Sequence, residues 1–151
     1  MPAPMPDDDQ PPLILFDDRQ SDPVDVDDLR ALARSVLLGE DAERSELSVS
    51  FVTEDEIADL HERYMHEDGP TDVLSFPLDD DGAGEDGIRV LGDVVIAPSV
   101  AARSRPDDSA AEIRLLLVHG ILHLLGHDHM RDDEKAEMWT RQERYSGVSV
   151  R

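Results

Sequence analysis

The chain of 151 residues is the length of one ordinary domain, with enough apolar material for a core. It carries 36 acids against 14 bases, a net charge of −22, no cysteine and few aromatic residues. That composition excludes disulfides, thiolate metal sites and a cysteine nucleophile, and argues against a base-stacking platform. The apolar runs are far shorter than the ~18 residues of a membrane span, and no signal-peptide pattern opens the chain, so a cytoplasmic protein with no membrane partner is expected.

The bases are 13 arginines and the single Lys135, and the acids are spread along the chain rather than gathered in a tail. Such a surface suits a saline cytoplasm, where the Debye length falls to ~3 Å at 1 M salt. It repels polyanions at low salt.

In chain order, residues 1–12 are rich in Pro and Asp and predict a disordered tail. Leu13 to Phe16 suits a first strand. Val26, Leu29, Leu32, Ala33, Val36 and Leu37 recur at helical spacing until Gly39. Leu47, Val49 and Phe51 alternate with serines as a second strand. Thr53 and Glu56 form a capping box before a helix carrying Ile57, Leu60, His61 and Tyr64, which Gly69-Pro70 ends. Thr71 to Phe76 is strand-like. An acidic, Gly-rich loop at 79–87 leads to a fourth strand within Ile88 to Ile96, closed by Pro98. Asp108 or Ser109 caps a long helix to about Leu125. Asp132 to Tyr145 predicts another, with Met138 and Trp139 as core candidates. The order βαβαββαα suits one α+β domain over 13–145, a mixed four-stranded sheet with packed helices, followed by a short tail at 146–151.

Four of the six histidines fall between His119 and His129 (HGILHLLGHDH). His119 and His123, four apart on the long helix, are offset by only ~40° and ~6 Å, so both imidazoles can reach one ion. His127 would lie ~12 Å along an unbroken helix from His119, too far to share that ion. Gly126 tolerates the left-handed conformation that ends a helix, and His129, three residues later, can swing back over the same face. Three imidazoles without a thiolate leave one coordination position open, the arrangement of a catalytic zinc, with one ion expected per chain. Such an ion lowers the pKa of bound water and polarises a carbonyl or phosphoryl oxygen. Imidazoles also accept nickel, copper or iron. Two nearby carboxylates are candidates for further roles. Glu112, two turns before His119 on the same face, could accept a proton, and Asp128 could orient a ligand imidazole.

The spacing H-x-x-x-H-x-x-G-x-x-H is that of the metzincin proteases, but the general-base Glu that follows their first His is replaced by Gly120. The segment instead resembles the signature of the YbeY family, the bacterial metal-dependent endoribonucleases of rRNA maturation. The resemblance extends to Asp68-Gly69-Pro70-Thr71-Asp72-Val73-Leu74-Ser75-Phe76-Pro77 and to Leu91-Gly92-Asp93-Val94-Val95-Ile96-Ala97-Pro98, and covers about residues 13–145. It implies a zincin-like α+β fold and cleavage of single-stranded RNA in 16S rRNA 3′-end processing and ribosome quality control. It also implies ribosomal RNA, the 30S subunit or its assembly factors as partners, and His119, His123 and His129 as zinc ligands. One departure is Met65, after Tyr64, where many members of the family carry Arg. Other cations near the metal-bearing helix are Arg103, Arg105 and Arg114. A metzincin-like peptidase and a non-catalytic ribosome-assembly factor with a structural metal remain the alternatives.

Overall fold

The computed structural model describes residues 11–65, 72–77, 87–126 and 132–148. Four strands form one mixed sheet: β1 (Leu13–Asp18), β2 (Ser45–Phe51), β3 (Val73–Pro77) and β4 (Arg89–Ile96). Their order across the sheet is β1-β2-β4-β3. β1 and β4 run parallel to β2, and β3 runs antiparallel to β4, pairing Val73 with Ile96 and Ser75 with Val94. β3 is therefore an edge strand. The helices among the described residues are α1 (Val26–Gly39), α2 (Glu54–Met65), α3 (Pro98–Ser104), α4 (Ser109–Leu124) and α5 (Asp132–Ser146).

Caps written in the sequence start three of these helices. Asp25 accepts from the Asp28 amide before α1, and Asp108 does the same for Ala111 before α4. At α2 the Thr53 hydroxyl accepts the Glu56 amide at 3.2 Å. The sequence reading ended the fourth strand at Pro98 and passed over α3. Pro98 in fact opens that helix: a proline at the first helical position loses no hydrogen bond and its φ is already helical.

Strand alternation sends side chains to two cores. On one face Ile14, Leu47, Val49, Phe51, Val94 and Ile96 meet α1, α4 and α5. On the other, Leu74 and Val95 meet Val52 and Ile57 beneath α2. α4 is the hub of the larger core: Ile113, Leu115 to Val118, Ile121, Leu122 and Leu124 are all buried, so this helix is apolar around almost its whole circumference. Of the two core candidates on α5, Met138 is buried but Trp139 is 42% exposed. Consecutive helical residues point ~100° apart, so only one of the pair can face the core.

Two ties fix α5 against α1. Arg141 and the Tyr145 hydroxyl both reach the carboxylate of Glu40, the hydroxyl at 2.6 Å. Burial first, and then Glu40, raise the Tyr145 pKa above its ordinary value. Among the described residues, no helix is long and apolar enough to cross a membrane.

Candidate metal centre

α4 presents His119 and His123 one turn apart, as the i, i+4 spacing requires. Their rings stand edge to face, with centroids 6.1 Å apart and planes at 89°. Two imidazoles on a tetrahedral ion, bound through ~2.0–2.1 Å bonds, have ring centroids about 5.2 Å apart, so this pair stands roughly 1 Å wider and would close on a common metal by side-chain rotation. His119 is half-buried and His123 exposed. The ring of His119 is met from behind by α5, where Gln142 Nε2 lies 3.2 Å from His119 Nδ1.

The helix stops where the sequence reading placed its hinge. Leu125 caps it, its amide bonded to Ile121 O, and Gly126 follows with φ of +98°. Among the described residues none lies within 4 Å of where its Cβ would be, and the positive φ itself favours glycine. His127, Asp128 and His129 lie outside the described residues, and among those described no three His, Asp or Glu side chains gather as a metal-binding group.

Gly120 has a different reason. A Cβ on it would sit 2.7 Å from Val94 Cγ1, 3.0 Å from Val94 Cγ2 and 3.3 Å from Ser75 Oγ. The Ser75 hydroxyl donates to the Gly120 carbonyl at 3.3 Å. This glycine lets α4 lie directly on β3 and β4. The place where a metzincin carries its general base faces the sheet here, with no room for a carboxylate.

Glu112 is buried, and Arg105 Nε donates to its carboxylate at 3.0 Å. Asp72, the residue before β3, has its pKa raised by burial and then by the negative charge of Glu112. The three cations named near the metal-bearing helix are each engaged by an acid: Arg103 by Glu54, Arg105 by Glu112, and Arg114 by Asp28, with Arg114 also donating to the Ser146 carbonyl. Arg63, beside Tyr64, pairs with Asp59 at 3.0 Å. Tyr64 itself is 56% exposed and stacks edge-on against Phe76 at 5.6 Å.

The sequence reading missed Gln142 and its contact with His119. A signal was available. Met138, Gln142 and Tyr145 recur at i, i+4 and i+7, which puts an amide on the inward face of an otherwise polar helix.

The family described as Endoribonuclease YbeY matches residues 15–147, which takes in every strand and helix except the first two residues of β1. The chain belongs to the YbeY family. An Endoribonuclease YbeY of Thermobifida fusca is 51% identical over 131 residues, covering 80% of this chain and 83% of that protein. One from Frankia alni is 46% identical over 146 residues, covering 86% and 79%. The solution structure of a Thermotoga maritima protein superposes with a TM-score of 0.63 at 29% identity, over 89% of this chain and 87% of that one. The helix that carries His119 and His123 lies against the edge strand β3, joined to it by the Ser75–Gly120 hydrogen bond.

Proposed function

We propose that this protein is a zinc-dependent, single-strand-specific endoribonuclease of zincin-like fold. In this reading it acts in the cytoplasm, on ribosomal RNA of the 30S subunit or its assembly intermediates. Its roles are 16S rRNA 3′-end maturation and ribosome quality control. His119, His123 and His129 hold one zinc per chain.

The observation that carries this reading is the pairing of His119 with His123 on the buried α4 of a YbeY chain, their ring centroids 6.1 Å apart and His123 three residues before a left-handed Gly126. When bound, zinc supplies Lewis acidity toward the phosphodiester and an acidified water at neutral pH. The protein's part is to hold the imidazoles rigidly. α4 is buried on nearly every side, so the backbone that carries both histidines is fixed by packing, and the half-buried His119 is met by Gln142 as well. Gly120 supports nuclease over peptidase chemistry, because the general base of the metzincins has no space at that position.

The test is metal analysis of the native protein together with cleavage of a single-stranded rRNA fragment by wild type and His123→Ala. About one zinc per chain, with loss of both zinc and cleavage in the variant, is the expected result. Cleavage that survives in a zinc-free His123→Ala protein would overturn it.

A further inference from the structure

We propose that Gln142 is the positioning residue of the metal centre: its amide oxygen accepts Nδ1–H of His119 and holds that imidazole with Nε2 toward the ion. This rests on the reading of His119 as a ligand.

The contact is short and sheltered. Gln142 is 4% exposed and its amide lies 3.2 Å from His119 Nδ1. Its backbone is held from both sides. Arg141 and Tyr145 are tied to Glu40, which caps the C-terminus of α1, the Ser146 hydroxyl donates to the Gln142 carbonyl at 2.5 Å, and Arg114 Nε donates to the Ser146 carbonyl at 3.2 Å. These ties cross from α5 to α1 and α4, so Gln142 cannot withdraw from His119 without breaking them.

The chemistry of an amide explains why glutamine suits this place. A neutral imidazole that binds through Nε2 must carry its proton on Nδ1, and only an acceptor can meet that proton. With the amide nitrogen toward Nδ1, as drawn by the 3.2 Å contact, the ring is in the other tautomer, with its proton on Nε2. Turning the amide by 180° exchanges nitrogen for oxygen in almost the same volume. One buried side chain thus serves both tautomers, and metal loading selects the second. A partner behind a ligating histidine both fixes the ring and raises its basicity.

Three proteins test this: wild type, Gln142→Met, which keeps the volume but offers no comparable acceptor, and Gln142→Glu, which keeps the acceptor. Zn²⁺ affinity is measured by competition with a chromophoric chelator, and the melting temperature of each metal-free protein is recorded alongside. Gln142→Met should bind Zn²⁺ about 10- to 100-fold more weakly than wild type, and Gln142→Glu should restore the affinity. Equal affinity in Gln142→Met, or equal loss in both variants, would overturn the proposal. Wild type that binds no Zn²⁺ would instead remove the metal reading beneath it. Long-range ¹H–¹⁵N spectra of zinc-loaded wild type give a check that needs no variant. His119 Nδ1 should appear as a protonated nitrogen, and an unprotonated Nδ1 would refute the assignment.

Discussion

Replacing Gly120 by alanine sets two effects of opposite sign against each other, and the structure decides between them. Helix propensity alone favours alanine by about 1 kcal/mol in the interior of a helix. Against it stands a methyl group 2.7 Å and 3.0 Å from the two γ-carbons of Val94, where carbon atoms prefer ~3.5–4.0 Å. About 1 Å must open between α4 and the sheet. Val94 is fully buried, its β-branched side chain has little rotamer freedom, and β4 is hydrogen-bonded on both sides by β2 and β3. Neither the side chain nor the strand can retreat cheaply, which places the overpacking cost at the upper end of about 1–3 kcal/mol. The net expectation is a loss of about 2 kcal/mol, and a melting temperature lower by roughly 4–8 °C for a chain of this size. Thermal and urea unfolding of Gly120→Ala measure it. The double variant Gly120→Ala/Val94→Ala isolates the clash, and should be more stable than the two single effects sum to by at least about 1 kcal/mol. A Gly120→Ala protein as stable as wild type, or additive effects in the double variant, would show that the close approach of α4 to β4 is not what holds this position to glycine.

Alanine at His119, His123 or His129 should each lower bound zinc and abolish RNA cleavage, whereas His127→Ala should keep most of both; zinc retained in His129→Ala and lost in His127→Ala would reverse the ligand assignment. The melting temperature should rise between 0.1 M and 2 M KCl, because salt screens the self-repulsion of a chain of net charge −22; an unchanged or lower value would refute the saline-surface reading. Asp72 has a folded pKa raised above the ordinary 3.8, so the native state binds its proton more tightly than the unfolded chain. Its contribution is therefore fully present below that ordinary value and is lost as pH rises through the folded pKa. Asp72→Asn should flatten the stability profile across that window and be at least as stable as wild type at pH 7, as read from urea midpoints against pH. A profile that keeps its slope would locate the titration elsewhere.

The elements that sequence resolved are those whose signals are local. The caps Asp25, Thr53 and Asp108 sit within one turn of the helices they start, and the alternation of Leu47, Val49 and Phe51 is the alternation of buried positions in β2. The i, i+4 spacing of His119 and His123 gave their common face directly, and Gly126 ends the helix as its freedom at positive φ implied. What stayed hidden depends on tertiary neighbours. Nothing in the order of residues says that Gly120 lies against Val94, 26 positions earlier, or that Gln142 meets His119 across 23 residues. Trp139 misled for the same reason: a tryptophan beside a buried methionine reads as core until the axis of α5 is known. α3 was missed because Pro98 carries two meanings, the end of a strand and the first residue of a helix.

The charge of the molecule bears on how such a site could take up RNA. Phosphate contacts from Arg and Lys ordinarily supply much of the affinity for a nucleic acid and make it fall with salt. Here the guanidiniums of Arg19, Arg63, Arg103, Arg105, Arg114 and Arg141 are each held by a carboxylate. Arg44 and Arg89 line a cleft of about 400 Å³ next to Leu125, at the end of α4, but Asp41 and Glu43 line it too. Those six arginines are thus committed to neutralising the protein's own acids, and Arg30 and Arg34 donate to the backbone carbonyls of Ile14 and Pro12. A phosphodiester approaching α4 would meet little long-range attraction and a large net repulsion, which molar salt would screen to within ~3 Å. Under the proposed function, affinity would then have to come from contact at the metal centre, or from an assembled ribosomal particle that brings the RNA to it.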